Sequence, residues 1–257
     1  MSKDSTTNIL LVAIVLCLVC SVVVSTAAVK LRPLQEENKA LDQKINILKV
    51  SGLWKENADI EKLFASIESR VINLDTGEVA DEIDASTFDQ RKASRIGNLS
   101  IELGSDIDIA NINRRSNFAT VYLVKENDQV NRYVFPVHGY GLWSTLYGYV
   151  TLEKDMNTVY ALKFYDHRET PGLGGEVDNL KWQASWKGKK LFNDKEELAL
   201  TVIKGAVVPG NENEPHQVDG LSGATLTSNG VTNMFRFWMG EYGFEKMMNK
   251  VRAGEVL

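Results

Sequence analysis

The stretch Asp219-Gly220-Leu221-Ser222-Gly223-Ala224-Thr225-Leu226-Thr227-Ser228-Asn229-Gly230 gathers four hydroxyls and three glycines at the start of a segment with helical periodicity. Backbone N–H groups at a helix start lack internal partners, and the aligned peptide dipoles leave partial positive charge there. A phosphate is well placed at such a site. The same residues could do less, with Ser228 or Thr227 simply capping the helix. A third reading takes Gly220-Leu221-Ser222-Gly223-Ala224 as a loose G-x-S-x-G nucleophile elbow. Ala224 replaces its last glycine, and His138, His167 and His216 all precede Ser222. The elbow's fold needs a histidine after the serine, so that reading fails on chain order.

Other chemistries are narrowed by what the chain lacks. The three histidines are too scattered to suggest a metal site and read as structural or surface residues. Cys17 and Cys20 are the two cysteines, both inside an apolar N-terminal run. The rest of the chain therefore has no disulfide, cysteine nucleophile, thiolate metal site or iron–sulfur cluster of its own. A formal charge of -5 argues against a nucleic-acid partner, which needs a basic face. No G-x-G-x-x-G fingerprint follows a strand, so the chain carries no dinucleotide site of that type.

The elements that must position the glycine- and hydroxyl-rich loop follow from pattern. The chain has 257 residues, 44% of them apolar and 25% charged. That leaves room for one anchor and one domain of about 200 residues. Residues 1–8 form a tail. The run Ile9 to Ala28 carries no charge, and twenty helical residues rise roughly 30 Å, the thickness of a hydrocarbon core. Its length favours a retained anchor over a signal peptide cleaved after Ser25-Thr26-Ala27. Lys3 lies on one side and Lys30 and Arg32 on the other, so flanking charge does not set the orientation. Residues 29–55, with Leu34, Leu41, Ile45 and Leu48 at helical spacing, read as an amphipathic juxtamembrane helix. Residues 56–257 form the remaining domain.

Within that domain, Trp54 to Asp108 is polar and predicts short helices between turns at Asp75-Thr76-Gly77 and Ile96-Gly97-Asn98. Arg91-Lys92 and Arg95 read as a solvated face. Val121–Val124 and Tyr133–Val137 flank the turn residues Glu126-Asn127-Asp128-Gln129 and predict a hairpin. Leu142–Leu152 and Thr158–Tyr165 predict another, and Ala199–Ile203 a further strand. Val177, Leu180, Ala184 and Trp186 fit a short helix. Val231, Met234, Phe235 and Trp238 fit a longer one beginning near Ser228. Hairpin-linked antiparallel strands with flanking helices make an α+β domain behind a single N-terminal transmembrane helix.

Asp219 through Thr225 resembles the flavinylation motif D-x-x-[ST]-G-A-T of FMN-binding domains. Gly139-Tyr140-Gly141-Leu142-Trp143-Ser144, Glu169-Thr170-Pro171-Gly172-Leu173-Gly174-Gly175-Glu176 and Val202-Ile203-Lys204-Gly205 accompany it in order. This set resembles the C subunit of the sodium-translocating NADH:quinone reductase over nearly the whole chain. The G subunit of the Rnf electron-transport complex shares two of the motifs but tends to be shorter. An anchored, non-redox binding or assembly module is the alternative from another class.

The resemblance implies FMN joined through its phosphate to the hydroxyl of Thr225. A separate flavin transferase would split FAD with magnesium and leave FMN there. Threonine is a poor nucleophile unaided, and the domain offers no evident metal cluster to activate it. By the same resemblance Ser222, Gly223 and Ala224 belong to the cofactor site, and Asp219 is either a recognition residue for the transferase or a turn residue. Trp143 is expected against the flavin or in the core, with Ser144 and Thr145 as hydrogen-bond donors. Thr170, Gly172, Leu173 and Gly174 let backbone approach the cofactor or form a plain tight turn. Lys204 either raises the flavin potential from the pyrimidine edge or sits in water. The implied function is an electron relay, with no complete activity alone, beside the other subunits of a complex in the bacterial inner membrane. Its domain would lie on the periplasmic side, and sodium would cross through partner subunits.

Overall fold

Alternating polarity and apolar runs resolve, in the computed structural model, into two compact units, and residues 5–127 and 129–255 are described. Of the expected tail 1–8, residues 1–4 lie outside the described residues. The first unit, up to Ile45, is part of helix α1 (Thr6–Ser51). Its apolar run and the amphipathic segment expected over 29–55 form one continuous helix that ends at Ser51, with Gly52 at φ +77° closing it four residues short of the expected end. It is the one described helix long and apolar enough to cross a membrane, and the apolar side chains of its run Ile9 to Ala28 are exposed. Ser21, a polar interruption in that run, donates its hydroxyl to the Cys17 carbonyl at 2.7 Å. Its donor is thus satisfied without water.

The second unit, from Asn46 onward, is built on a five-stranded antiparallel sheet. In chain order come α2 (Ile60–Phe64), β1 (Ile67–Asn73), α3 (Gln90–Ala93), β2 (Ser100–Glu102), β3 (Arg114–Ser116), β4 (Phe118–Glu126), β5 (Gln129–Tyr140), β6 (Thr145–Glu153) and β7 (Val159–Asp166). Then follow α4 (Leu180–Ala184), β8 (Thr201–Val202), β9 (Gln217–Val218), α5 (Thr225–Trp238) and α6 (Glu245–Arg252). The sheet order is β1-β4-β5-β6-β7, with β2 and β3, and β8 and β9, as two-stranded ladders.

Residues of period two along the central strands divide between two cores. Val121 and Leu123, Tyr133, Phe135 and Val137, and Leu146, Val150 and Leu152 pack with α5 and α6 on one face. Tyr122, Val124, Val134 and Tyr149 pack on the other with Ile47, Leu48 and Val50 from the end of α1. Because both faces are covered, these strands read as nearly continuous apolar runs. Both expected hairpins are present; Asp128, in the first turn, lies outside the described residues.

Six further expectations need correction. The strand expected over Ala199–Ile203 is confined to β8, and the short helix expected to carry Val177 and Trp186 is confined to α4, with both residues outside it. The polar region before Asp108 contains an edge strand, β1, paired with β4 from Ile67↔Val124 to Asn73↔Phe118. Glu68 and Arg70 mask its alternation, and they are partnered: Glu68 pairs with both Arg70 and Lys125. Charges of this kind protect an exposed sheet edge. Arg91 is not a solvated residue; it donates to Asp166 at 2.8 Å and lies over the Tyr147 ring. The strand expected from Leu142 begins at Thr145, leaving 141–144 as a loop. Finally, α5 begins at Thr225, three residues before Ser228.

Candidate functional site

Helix α5 fixes the site. Its buried face of Val231, Met234, Phe235 and Trp238 has the spacing expected from sequence, and each fully buried large side chain contributes roughly 1.5–3 kcal/mol. Trp186 stacks on Phe235 with ring centroids 4.7 Å apart, and the Trp238 indole donates to the His138 carbonyl at 2.6 Å. The helix start is correspondingly well placed, and Thr225 is its first residue, with an exposed side chain.

Neither Thr227 nor Ser228 caps this helix. The residue at the cap position is Ala224, and no side chain hydrogen-bonds there. The Ser228 hydroxyl accepts from the Leu221 amide at 3.1 Å, while the Thr227 hydroxyl donates to Glu169 at 2.8 Å. Among the described residues no hydrogen bond occupies the amides of Thr225, Leu226 and Thr227. These are the orphan donors of a helix N-terminus, at its positive end.

Thr225 opens onto a cleft of about 470 Å³ lined by Ile203–Ala206, Asp219–Gly223, Ser228 and Asn229. Two strand ends form its wall. Parallel pairing of β8 with β9 is extended by Ile203 N–H to the Val218 carbonyl at 2.9 Å and by Gly220 N–H to the Gly205 carbonyl at 2.8 Å. A Cβ on Gly220 would lie 2.2 Å from the Ile203 oxygen, so that approach requires glycine. Lys204 lines the cleft, exposed and without an ion pair among the described residues. Asp219 accepts from the Val207 amide at 2.7 Å, and its carbonyl accepts from the Trp182 indole at 2.8 Å. Its carboxylate thus braces the loop that follows β8.

The second side of the site is the loop 169–175. The Thr170 carbonyl accepts from the amides of Leu173 and Gly175, closing a turn in which Gly172 takes φ +76°. Leu173 is exposed and reaches the acceptor loop: a Cβ on Gly223 would lie 2.9 Å from its Cδ2. Gly174 is buried, with room for no side chain between Glu169 and Thr227. Trp143, 66% exposed, stands on loop 141–144 and is not a core residue. The Ser144 hydroxyl accepts from the Arg168 amide at 2.7 Å, so it ties that loop to the approach to residue 169. Thr145 opens β6 opposite Tyr140.

Thus the structure brings Lys204, Asp219, Ser222, Gly223 and Thr225 around the cleft, with Leu173 and Gly174 against the same helix start; Ala224 does not line the cleft but is buried in the core at the cap position. Loop 141–144 adjoins through Glu169, a residue that sequence reasoning did not place in the site. Glu169 is 6% exposed, and its carboxylate accepts from the amides of Leu142, Trp143 and Ser144. Burial pushes its pKa upward, but the hydrogen bonds from Trp143, Thr227, Leu142 and Ser144 outweigh burial and hold it below the usual value. Its one sequence signal was its place at the head of the Thr170–Gly174 turn. The histidines lie apart: His138 is stacked on Tyr147, His167 pairs with Asp178, and His216 contacts the Lys190 carbonyl.

Helix α5 thus presents an uncapped start to a glycine-lined cleft, an arrangement suited to an anionic group, and residues 141–240 match the family model described as "FMN-binding domain". The chain is 47% identical to the C subunit of the Na(+)-translocating NADH-quinone reductase of Pseudomonas aeruginosa, over 99% of both chains. It is 48% identical to that of Vibrio alginolyticus, over 99% of this chain and 98% of the relative. The crystal structure of Shewanella oneidensis NqrC superposes with TM-score 0.78 at 36% identity, covering 84% of this chain and 99% of that one. The corresponding reductase C subunit from Parabacteroides distasonis gives 0.62 at 28% identity, covering 86% and 96%. The chain belongs to the family of C subunits of Na(+)-translocating NADH-quinone reductases. It is therefore an FMN electron-transfer subunit of an oxidoreductase complex, with the other subunits as partners, and its apolar helix fits a membrane-anchored protein.

Proposed function

We propose that FMN is held covalently, as a phosphodiester on the Thr225 hydroxyl. The observation that carries this reading is an exposed threonine at the first position of a helix whose first three amides are free, opening on a glycine-lined cleft. The residues present fit the group. A phosphodiester keeps one negative charge, which the helix start stabilises by roughly 0.3–1 kcal/mol. Gly223, at φ +69°, turns the chain so that the threonine faces the cleft. When bound, FMN supplies electron transfer in single steps.

The chain's own residues do the rest. Thr225 provides the ester oxygen, and the amides of residues 225–227 face its phosphate. Trp143 and Leu173 offer apolar surface to the ring, and Lys204 supplies positive charge at the cleft. Asp219, Ser222, Gly223 and Thr225 are exposed and so accessible to a flavin transferase, which would activate the hydroxyl. The apolar part of α1 anchors the protein in the bacterial inner membrane, with the domain on the periplasmic side. Covalent attachment there keeps a cofactor that could not be replaced from the cytoplasm.

Intact mass of the full-length protein, produced in cells with the transferase, tests the linkage. The wild type should carry the added mass of one phosphodiester-linked FMN and remain fluorescent in a denaturing gel. Thr225→Val should lose both while keeping its circular dichroism. Flavin that survives denaturation on the Thr225→Val protein would refute the attachment site.

A further inference from the structure

We propose that Glu169 is a positioning residue that sets the Trp143 loop against the first turn of α5 and so fixes the bound flavin. This rests on the FMN reading above. One carboxylate oxygen accepts from three successive amides, Leu142 at 3.0 Å, Trp143 at 2.9 Å and Ser144 at 3.2 Å. Successive amides pointing at one anion make a concave cradle. The other oxygen accepts from Thr227 at 2.8 Å, on the helix turn that begins with Thr225. A single side chain thus spans two segments that are distant in sequence, the loop that carries Trp143 and the helix turn that carries Thr225.

The surroundings leave it little latitude. An added Cβ at Gly141 would lie 2.7 Å from one carboxylate oxygen, and one at Gly174 would lie 2.5 Å from the other. No cation pairs with Glu169 among the described residues, so amide and hydroxyl dipoles alone hold it. The backbone reinforces its position, since the Glu169 amide donates to His167 Nδ1 at 3.2 Å.

Geometry and charge can be separated by substitution. Glutamine keeps the length of the side chain: its carbonyl oxygen can accept from the three amides while its NH₂ donates to Thr227, whose hydroxyl can also accept. Aspartate keeps the charge but is one methylene short of spanning both segments. Positioning therefore predicts that Glu169→Gln resembles the wild type and Glu169→Asp does not.

The first measurement needs no cofactor. In full-length protein carrying Thr225→Val, amide hydrogen exchange at residues 142–144 should be about tenfold faster in Glu169→Asp and unchanged in Glu169→Gln. The second uses flavinylated full-length protein. The visible circular dichroism of the attached flavin should change in Glu169→Asp and persist in Glu169→Gln. Equal exchange in wild type and Glu169→Asp would overturn the positioning role, as would equal acceleration in both variants. Accelerated exchange with unaltered dichroism would overturn its bearing on the flavin. Absence of attached FMN from the wild type would instead refute the Thr225 reading and leave the exchange result intact. Should Glu169→Asp fail to fold, Glu169→Gln still decides, because loss of protection or of dichroism there contradicts the proposal.

Discussion

His138 makes a sharp prediction about stability and pH. Its imidazole stacks on Tyr147 at 5.3 Å and tilts against Trp238 at 4.7 Å, and its side chain makes no hydrogen bond among the described residues. Burial, reinforced by the nearby Arg91 cation, lowers its pKa from 6.5 to about 3. The folded chain therefore keeps this ring neutral where the unfolded chain protonates it. The associated stability is fully present above pH 6.5 and is lost as the pH falls toward about 3. At about 1.36 kcal/mol per pH unit, the whole window amounts to ~5 kcal/mol, of which about 2 kcal/mol disappears between pH 7 and pH 5. The ring keeps a narrow exposed edge, so about 2 kcal/mol is the largest loss expected over that interval. His138→Phe preserves an aromatic ring on Tyr147 and Trp238 and places it near the Arg91 guanidinium. Urea unfolding of the full-length protein in detergent, followed by tryptophan fluorescence at pH 7 and pH 5, measures the difference. The variant should gain on the wild type by up to about 2 kcal/mol at the lower pH. Carboxylates with lowered pKa, such as Glu68 and Glu169, titrate in both proteins and cancel in the comparison. A wild-type-to-variant difference identical at the two pH values would refute the reasoning.

Two further contrasts separate folding from cofactor handling. Trp186 is fully buried and stacked on Phe235, so Trp186→Ala should cost about 3–5 kcal/mol in the same unfolding assay. Trp143→Ala, at an exposed position, should stay within about 0.5 kcal/mol of wild type yet alter the visible spectrum of the bound flavin. Asp219→Asn retains an acceptor for the Val207 amide, and should leave unfolding unchanged to within about 0.5 kcal/mol. Intact mass should nevertheless show a smaller flavinylated fraction, because the charged side chain is offered to the transferase; full loading would return Asp219 to a purely structural role.

The sequence made the helix carrying Thr225 legible through Val231, Met234, Phe235 and Trp238, because a single buried face leaves a clear period. Two hairpins were legible for a similar reason, with turn residues between apolar runs. What escaped depended on partners far along the chain. Strand β1 was hidden because Glu68 and Arg70 look like surface charge until Lys125 is placed beside them. Arg91 looked solvated until Tyr147, Tyr165 and Asp166 gathered around it. The start of α5 was misplaced because Ala224 stands where a hydroxyl or carboxylate usually caps a helix. Glu169 carried too little local pattern to reveal the amides 25 to 27 residues earlier that surround it. Motif residues around Thr225 were legible as a group, whereas the carboxylate joining them to Trp143 was not.

Mounting the acceptor at the solvent-facing tip of a helix rooted in the core has a consequence for how the ring is retained. On the proposed linkage, the ring's resting place is one state of a tether, governed by an effective concentration of about millimolar magnitude and not by dilution into solvent. Were the ring to leave the cleft, the ester would keep it with the chain. Trp143 and Leu173 then need only orient the ring, because the ester and not their apolar surface retains it.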